Sequence, residues 1–166
     1  MKRFGVHSLA LLVLTLTGCL YSLSGGGGVP SHIKTVAVIP FENQTANPEL
    51  PTELHLELRR AILARLGLRE APEGRATAVL TGTITKYEPD IAVGFSADPA
   101  RARTARRRLQ LSINVDFVDK TTGKSLFKRD GLSAEGEYAE REEPVGRRQA
   151  IQRLISDIIE GAQSQW

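Results

Sequence analysis

From Leu109 to Phe117 the chain alternates without a break. Leu109, Leu111, Ile113, Val115 and Phe117 are apolar, and Gln110, Ser112, Asn114 and Asp116 between them are polar. Successive side chains of a strand point to opposite faces, so this pattern predicts a strand with one face buried and one wet. Asp119-Lys120-Thr121-Thr122-Gly123 follows and reads as a hairpin turn, with Gly123 free to take a positive φ. Lys124 to Lys128 returns as the partner strand through Leu126 and Phe127. It resumes across Leu132 to Tyr138, with a bulge or break at Asp130-Gly131. Upstream, Ile33 to Phe41 is nearly continuously apolar from Val36 to Ile39. That suits a strand covered on both faces or central in a sheet, ended by Pro40. Val79 to Tyr87, rich in threonine and β-branched residues, predicts a further strand. Its continuation runs through Ile91 to Val93 beyond a kink at Pro89.

Two stretches change period. Leu50, Leu54, Leu58, Ile62 and Leu66 recur every fourth residue, with Ala61 and Leu63 beside them. This is the apolar stripe of a helix lying on a sheet. Asn47-Pro48-Glu49 opens it, with Asn47 as the cap and Pro48 at the first helical position, Pro51 leaves the start open by one turn, and Gly67 stops it. Ile151, Leu154, Ile155, Ile158, Ile159 and Ala162 form a second stripe, with Arg148, Gln152, Ser156 and Glu160 on the other side. Glu142-Glu143-Pro144 starts this helix with acids at its positive end. Arg69 to Ala76 reads as a loop with room for a short strand. The order predicts an α+β fold: a two-layer sandwich, a mixed four-stranded sheet with two helices packed on one face. A helical crossover makes the first two strands parallel, and the hairpin makes the later ones antiparallel. The face bearing Gln110, Ser112, Asn114 and Asp116 is left for water or a polar partner.

The amino terminus follows another logic. Lys2 and Arg3 precede a mostly apolar run from Phe4 to Leu16. A spanning helix needs roughly 20 apolar residues, so the run has the length and flanks of a signal-peptide core. It ends in Leu16-Thr17-Gly18-Cys19, which holds the chain's single cysteine and resembles the bacterial lipoprotein cleavage box. On that reading residues 1–18 are removed and Cys19 becomes a lipidated first residue. An ordinary secretory signal with a chance cysteine and an uncleaved buried helix are the alternatives. One cysteine makes no internal disulfide, and acylation removes the liability of a free thiol outside the cytoplasm. Leu20, where an aspartate would signal retention in the inner membrane, favours the outer membrane. Residues 19–32, with four consecutive glycines, form a tether and not a phosphate-binding loop, which would need a Lys-Ser/Thr signature. Residues 33–166 form a single domain.

Composition is that of an ordinary globular protein, with 41% hydrophobic and 25% charged residues. Removing Lys2 and Arg3 lowers the formal charge from +3 to +1, so total charge implies no partner. Its distribution is more informative. Ser96 to Arg108 predicts a mobile loop leading into a strand, and it holds Arg101, Arg103, Arg106, Arg107 and Arg108 with no acid between them. Such a run attracts anions. Export argues against nucleic acid, as does the lack of interleaved aromatics for base stacking. A solvated loop, phosphorylated lipid and an acidic protein surface remain.

Several segments together resemble the lipopolysaccharide-assembly lipoprotein family LptE. They are Gly18-Cys19-Leu20-Tyr21-Ser22-Leu23-Ser24-Gly25, the stretch from His32 to Thr45, Val79 to Tyr87, and Leu109 to Phe127. Leu20 stands where a glycine is common, Ala76-Thr77-Ala78 lacks the usual acids, and the arginine cluster is heavier than the family's pattern. The resemblance implies a non-enzymatic outer-membrane lipoprotein without cofactors, its domain on the periplasmic side or inside a barrel lumen. It would partner the LptD β-barrel while lipopolysaccharide is assembled and inserted. In that setting the five arginines would contact lipid A phosphates, which favour guanidinium forks, or acidic barrel loops.

Other envelope lipoproteins share the valine-rich strand followed by Pro-Phe-Glu-Asn, among them activators of peptidoglycan synthases and curli-secretion proteins. Activation of a cell-wall enzyme is therefore the rival function, and a structural role alone is a third. An enzyme is disfavoured, because no nucleophile, histidine and carboxylate set and no metal-ligand spacing is present. His55 has no companion ligand, since His32 lies in the tether. Glu135, Glu137, Glu140, Glu142 and Glu143 cluster before the last helix but read as an exposed acidic loop, not as a glycosidase pair.

Overall fold

The structure is a computed structural model and describes residues 28–92 and 107–164. Its elements run β1 (Thr35–Val38), β2 (Glu42–Asn43), α1 (Leu50–Leu66), β3 (Arg69–Glu70), β4 (Ala78–Ala92), β5 (Arg107–Asp119), β6 (Ser125–Tyr138) and α2 (Glu143–Ser164). The sheet order is β3-β1-β4-β5-β6, and β2 also pairs with β4. β1 is parallel to β3 and β4, whereas β4, β5 and β6 form an antiparallel meander. This is the expected mixed sheet with two helices, but it has six strands where four were expected. The extra two, β2 and β3, are two residues long and therefore too short to show any alternation.

Pro40 ends β1, and Phe41 turns into the core. Glu42 and Asn43 then find β4 again, opposite Thr83 and Ile84. β4 does not stop at Pro89. The register shifts between Glu88 and Ile91, and a residue without an amide proton fits such a break. β5 begins two residues earlier than the alternation suggests, because Arg107 and Arg108 pair with Ala92 and Ile91 on one side and with Tyr138 and Glu137 on the other. Of the bulge or break expected at Asp130-Gly131, the strand has the bulge and runs on unbroken, with Gly131 at φ 66°.

α1 takes the later start that Pro51 left open. Asn47 makes a turn of its own by accepting the Glu49 amide at 3.0 Å, the cap position falls on Glu49, and Pro51 takes the first-turn place assigned to Pro48. Gly67 ends the helix in the left-handed conformation, as expected. Leu50, Leu54, Leu58 and Ile62 are fully buried, and so are Leu80, Ile84, Leu109, Leu111, Ile113 and Phe117 beneath them. Ile151, Leu154, Ile158 and Ile159 of α2 join the same core. Each such side chain contributes about 1.5–3 kcal/mol relative to an exposed one. α2 meets β6 almost backbone to backbone at its first turn. A Cβ on Gly136 would lie 1.8 Å from the Gly146 carbonyl oxygen, so only glycine fits there.

Candidate interaction surface

The uncovered sheet face is built from the polar half of the alternation. Cross-strand neighbours fall opposite one another and pair. Gln110 donates to Ser133 at 2.9 Å, Ser112 and Ser133 hydroxyls lie 3.0 Å apart, and Ser125 donates to Asp116 at 2.7 Å. Lys86 reaches Gln110 and Glu88, and Lys128 lies 3.6 Å from Asp116. Asn114 accepts the Gly131 amide at 2.8 Å, which ties the bulge of β6 to β5. The face is therefore polar, internally satisfied and held on three long strands.

The arginines fall on both sides of a boundary. Cys19, Arg101, Arg103 and Arg106 lie outside the described residues. Arg107 and Arg108 stand at the start of β5 with half-exposed side chains, and carboxylates already engage both. Arg107 is 2.6 Å from Asp90 and 3.9 Å from Glu140. Arg108 is 3.2 Å from Glu135 and 3.7 Å from Glu137. Beside them the Tyr138 hydroxyl donates to the Pro89 carbonyl. Burial pushes the Tyr138 phenol pKa up, the Asp90 charge adds to this, and Arg107 partly offsets it. The acids before the last helix are thus dispersed: Glu135 and Glu137 on Arg108, Glu140 on Arg107, and Glu143 on a third arginine. His55 is half-buried on α1, and its Nδ1 has no hydrogen-bond partner among the described residues.

That third arginine, Arg147, is the residue sequence reading missed. It is only 9% exposed. Its guanidinium lies 2.7 Å from Glu53, 3.2 Å from Glu49 and 3.3 Å from Glu143, joining the first turns of α1 and α2. The available signal was its position, four residues before Ile151 on the apolar stripe.

A second polar cluster was also missed. Asp119, 2% exposed, accepts from the Thr121 amide at 2.8 Å and the Thr122 hydroxyl at 2.6 Å, and its Oδ2 lies 2.8 Å from His32 Nε2. Burial alone would raise its pKa. The hydrogen bonds from Thr122, His32 and the Thr121 amide outweigh this and hold the carboxyl well below its usual range. A carboxylate lowered on folding adds stability that is complete above its unfolded pKa of about 3.9 and is lost as pH falls through the folded value. Asp119→Asn is therefore expected to destabilise the domain by about 1–3 kcal/mol at neutral pH. The gap to the unmodified protein should close as pH drops below about 4. Urea melts of both forms across that range check the prediction.

An α+β sandwich covers one sheet face with helices and presents polar side chains of β4, β5 and β6 on the other, beside a small apolar cluster of Ala37, Ala76 and Val79. The family described as LptE, lipopolysaccharide-assembly, matches residues 33–162, and the chain belongs to that family. Membership fits a chain that is not an enzyme. Nothing among curated proteins matches it. Among solved structures it is similar to the PelC dodecamer from Paraburkholderia phytofirmans, at 16% identity and TM-score 0.54 over 82% of this chain and 93% of that one. It is also similar to the hypothetical protein CT253 from Chlamydia trachomatis, at 12% identity and TM-score 0.55 over 80% and 96%. A third likeness is to lipoprotein GNA1162 from Neisseria meningitidis, at 17% identity and TM-score 0.44 over 76% and 96%. At these identities the first two likenesses speak for the fold alone, and the third carries no argument.

Proposed function

We propose that this protein is an outer-membrane lipoprotein, acylated at Cys19, that partners an LptD-like β-barrel in the assembly and insertion of lipopolysaccharide without catalysis. The family match over residues 33–162 carries this reading. The polar sheet face supports it, because outer-membrane barrels have polar interiors that such a face can meet. The lipobox-like Leu16-Thr17-Gly18-Cys19 supports the anchor. No described helix is long and apolar enough to cross a membrane. Tagged full-length protein, recovered from detergent-solubilised envelopes, is expected to bring down a large β-barrel protein in near-stoichiometric amount. Recovery of a peptidoglycan synthase with no barrel would overturn the reading.

Within this function Arg101, Arg103, Arg106, Arg107 and Arg108 contact lipopolysaccharide or acidic barrel loops. Arg107 and Arg108 already share four carboxylates, so reversing them should act chiefly on the fold's own ion pairs. Charge reversal of Arg101, Arg103 and Arg106 together is expected to weaken lipopolysaccharide binding in a salt-sensitive way. Binding that is unchanged in this variant would remove the arginine contact.

A further inference from the structure

The two ends of the sheet are far apart and differ in character. β5 spans 13 residues, roughly 40 Å at about 3.3 Å per residue. Arg107, Arg108 and the first turns of both helices mark one end. At the other, the turn after β5 meets the segment leading into β4 and the start of β1. The Lys120 amide donates to Thr77 at 2.9 Å, and Thr77 Oγ1 accepts from the amides of Lys34 and Thr35 at 3.1 and 3.0 Å.

The amino-terminal chain enters the domain at this second end. Val29 packs against the core, the Ile33 amide donates to the Pro30 carbonyl at 2.9 Å, and His32 meets the buried Asp119. Residues 20–28 are then what separates Cys19 from the packed domain. Nine residues reach at most about 30 Å at full extension. That is shorter than β5, so an anchor at Cys19 brings the turn end to the bilayer before the arginine end.

The turn end carries an unbalanced charge. Lys34, Arg75, Lys120 and Lys124 are exposed, and none has a carboxylate within ion-pairing distance among the described residues. Lys120 does reach the Glu73 carbonyl oxygen, which gathers two of these loops together. The acids nearby are largely spent: Glu70 on Arg59, Glu160 on Arg65, and Asp119 inside its own cluster. Glu73, in the same group of loops, is exposed and has no ion pair among the described residues.

We infer that Lys34, Arg75, Lys120 and Lys124 form a contact surface for the anionic glycerophospholipid headgroups of the leaflet that holds the anchor. The inference rests on acylation of Cys19. A cation close to an anionic bilayer gains roughly fivefold in occupancy of that surface. The attraction fades beyond about 8–10 Å, so it acts only when this end comes down onto the headgroups, which a nine-residue link to the anchor allows. The contact stands the long axis of the sheet away from the bilayer and directs Arg107 and Arg108 toward whatever lies beyond.

The test uses the full-length mature protein in phosphatidylcholine vesicles with and without phosphatidylglycerol. Its intact mass reports the acyl chains, and amide hydrogen exchange reports residues 73–77 and 119–124. The expected result is slower exchange in these segments only when phosphatidylglycerol is present. In Lys120→Glu/Lys124→Glu, and in Lys34→Glu/Arg75→Glu should the first pair disturb the turn, the protection should fall by an order of magnitude or more. Equal exchange in both lipids, with an acylated mass, overturns the headgroup contact and leaves the anchor standing. A mass without acyl chains overturns the anchor reading and this inference with it. Protection that needs added lipopolysaccharide and ignores phosphatidylglycerol overturns the assignment to glycerophospholipid.

Discussion

Valine in place of Gly136 is expected to leave the protein without a stable fold. The first turn of α2 lies so close to β6 that even a methyl group on Gly136 would sit 1.8 Å from the Gly146 carbonyl oxygen. The obstacle is backbone, with no side chain free to swing aside. Gly146 in turn is wedged between Tyr138 and Leu109, where an added Cβ would lie 2.8 Å and 3.2 Å from their atoms. Relief would require lifting the first turn of α2 off the sheet, uncovering Ala150, Ile151 and Leu154 and moving Arg147 away from α1. Ordinary overpacking costs about 1–3 kcal/mol. This case should exceed about 4 kcal/mol, a large part of the 5–15 kcal/mol that holds a domain together. Circular dichroism should show no cooperative melt for G136V and a melt lowered by many degrees for G136A. A G136A melt within a few degrees of the parent would mean that the helix does not sit this close.

Arg147→Met is expected to rank next. It keeps an unbranched apolar stem and removes the charge that Glu49, Glu53 and Glu143 surround. Glu53 and Glu143 are themselves mostly covered, so the variant leaves two carboxylates facing each other with little water. Breaking a buried ion cluster by deleting one partner costs about 3–5 kcal/mol. The exposure of Glu49 places this case nearer about 2–4 kcal/mol. For a domain of this size that corresponds to a melting point lower by roughly 5–15 °C. Adding Glu53→Leu and Glu143→Leu should restore most of the loss, because apolar packing replaces buried charge at little net cost. If Arg147→Met melts with the parent, the cluster is surface decoration. If the triple variant fails to recover, the arginine stabilises through its packed stem and not its charge.

These two sites mark the limit of what the chain discloses by its pattern. The alternation from Leu109 to Phe117 and the two leucine and isoleucine stripes gave β5, α1 and α2, because burial on one face imposes a period that side chains cannot hide. β2 and β3 impose none, being two residues long. The Gly136–Gly146 contact joins positions whose neighbours predict only a strand and a helix. Arg147 meets Glu53 from 94 residues away, and the pairing of His32 with Asp119 crosses 87. Such partners share no local spacing, so a one-dimensional pattern cannot bring them together. The Asp119 cluster was half readable all the same: an aspartate followed at two and three residues by threonines is the usual signature of a side chain closing its own turn. Of the candidate surface, the polar sheet face was read directly from the alternation. The arginines were read as a run of charge, without the carboxylates that Asp90, Glu135, Glu137 and Glu140 bring to two of them.

β6 closes the sheet on one side, and among the described residues no strand pairs with its outer edge. An uncovered edge strand of this length would ordinarily let sheets from separate molecules join and grow into fibres, but Gln149 and Arg153 of α2 already bond the Glu137 amide and the Glu135 carbonyl. A protein at high local concentration is especially exposed to that hazard, because its encounter rate with its own kind rises. Here Lys128, Arg129 and Asp130 stand exposed along the strand, and Gly131 bends it out of register. The same irregularity that interrupts the pleat interrupts any template for polymerisation, so the molecules can crowd together and remain separate.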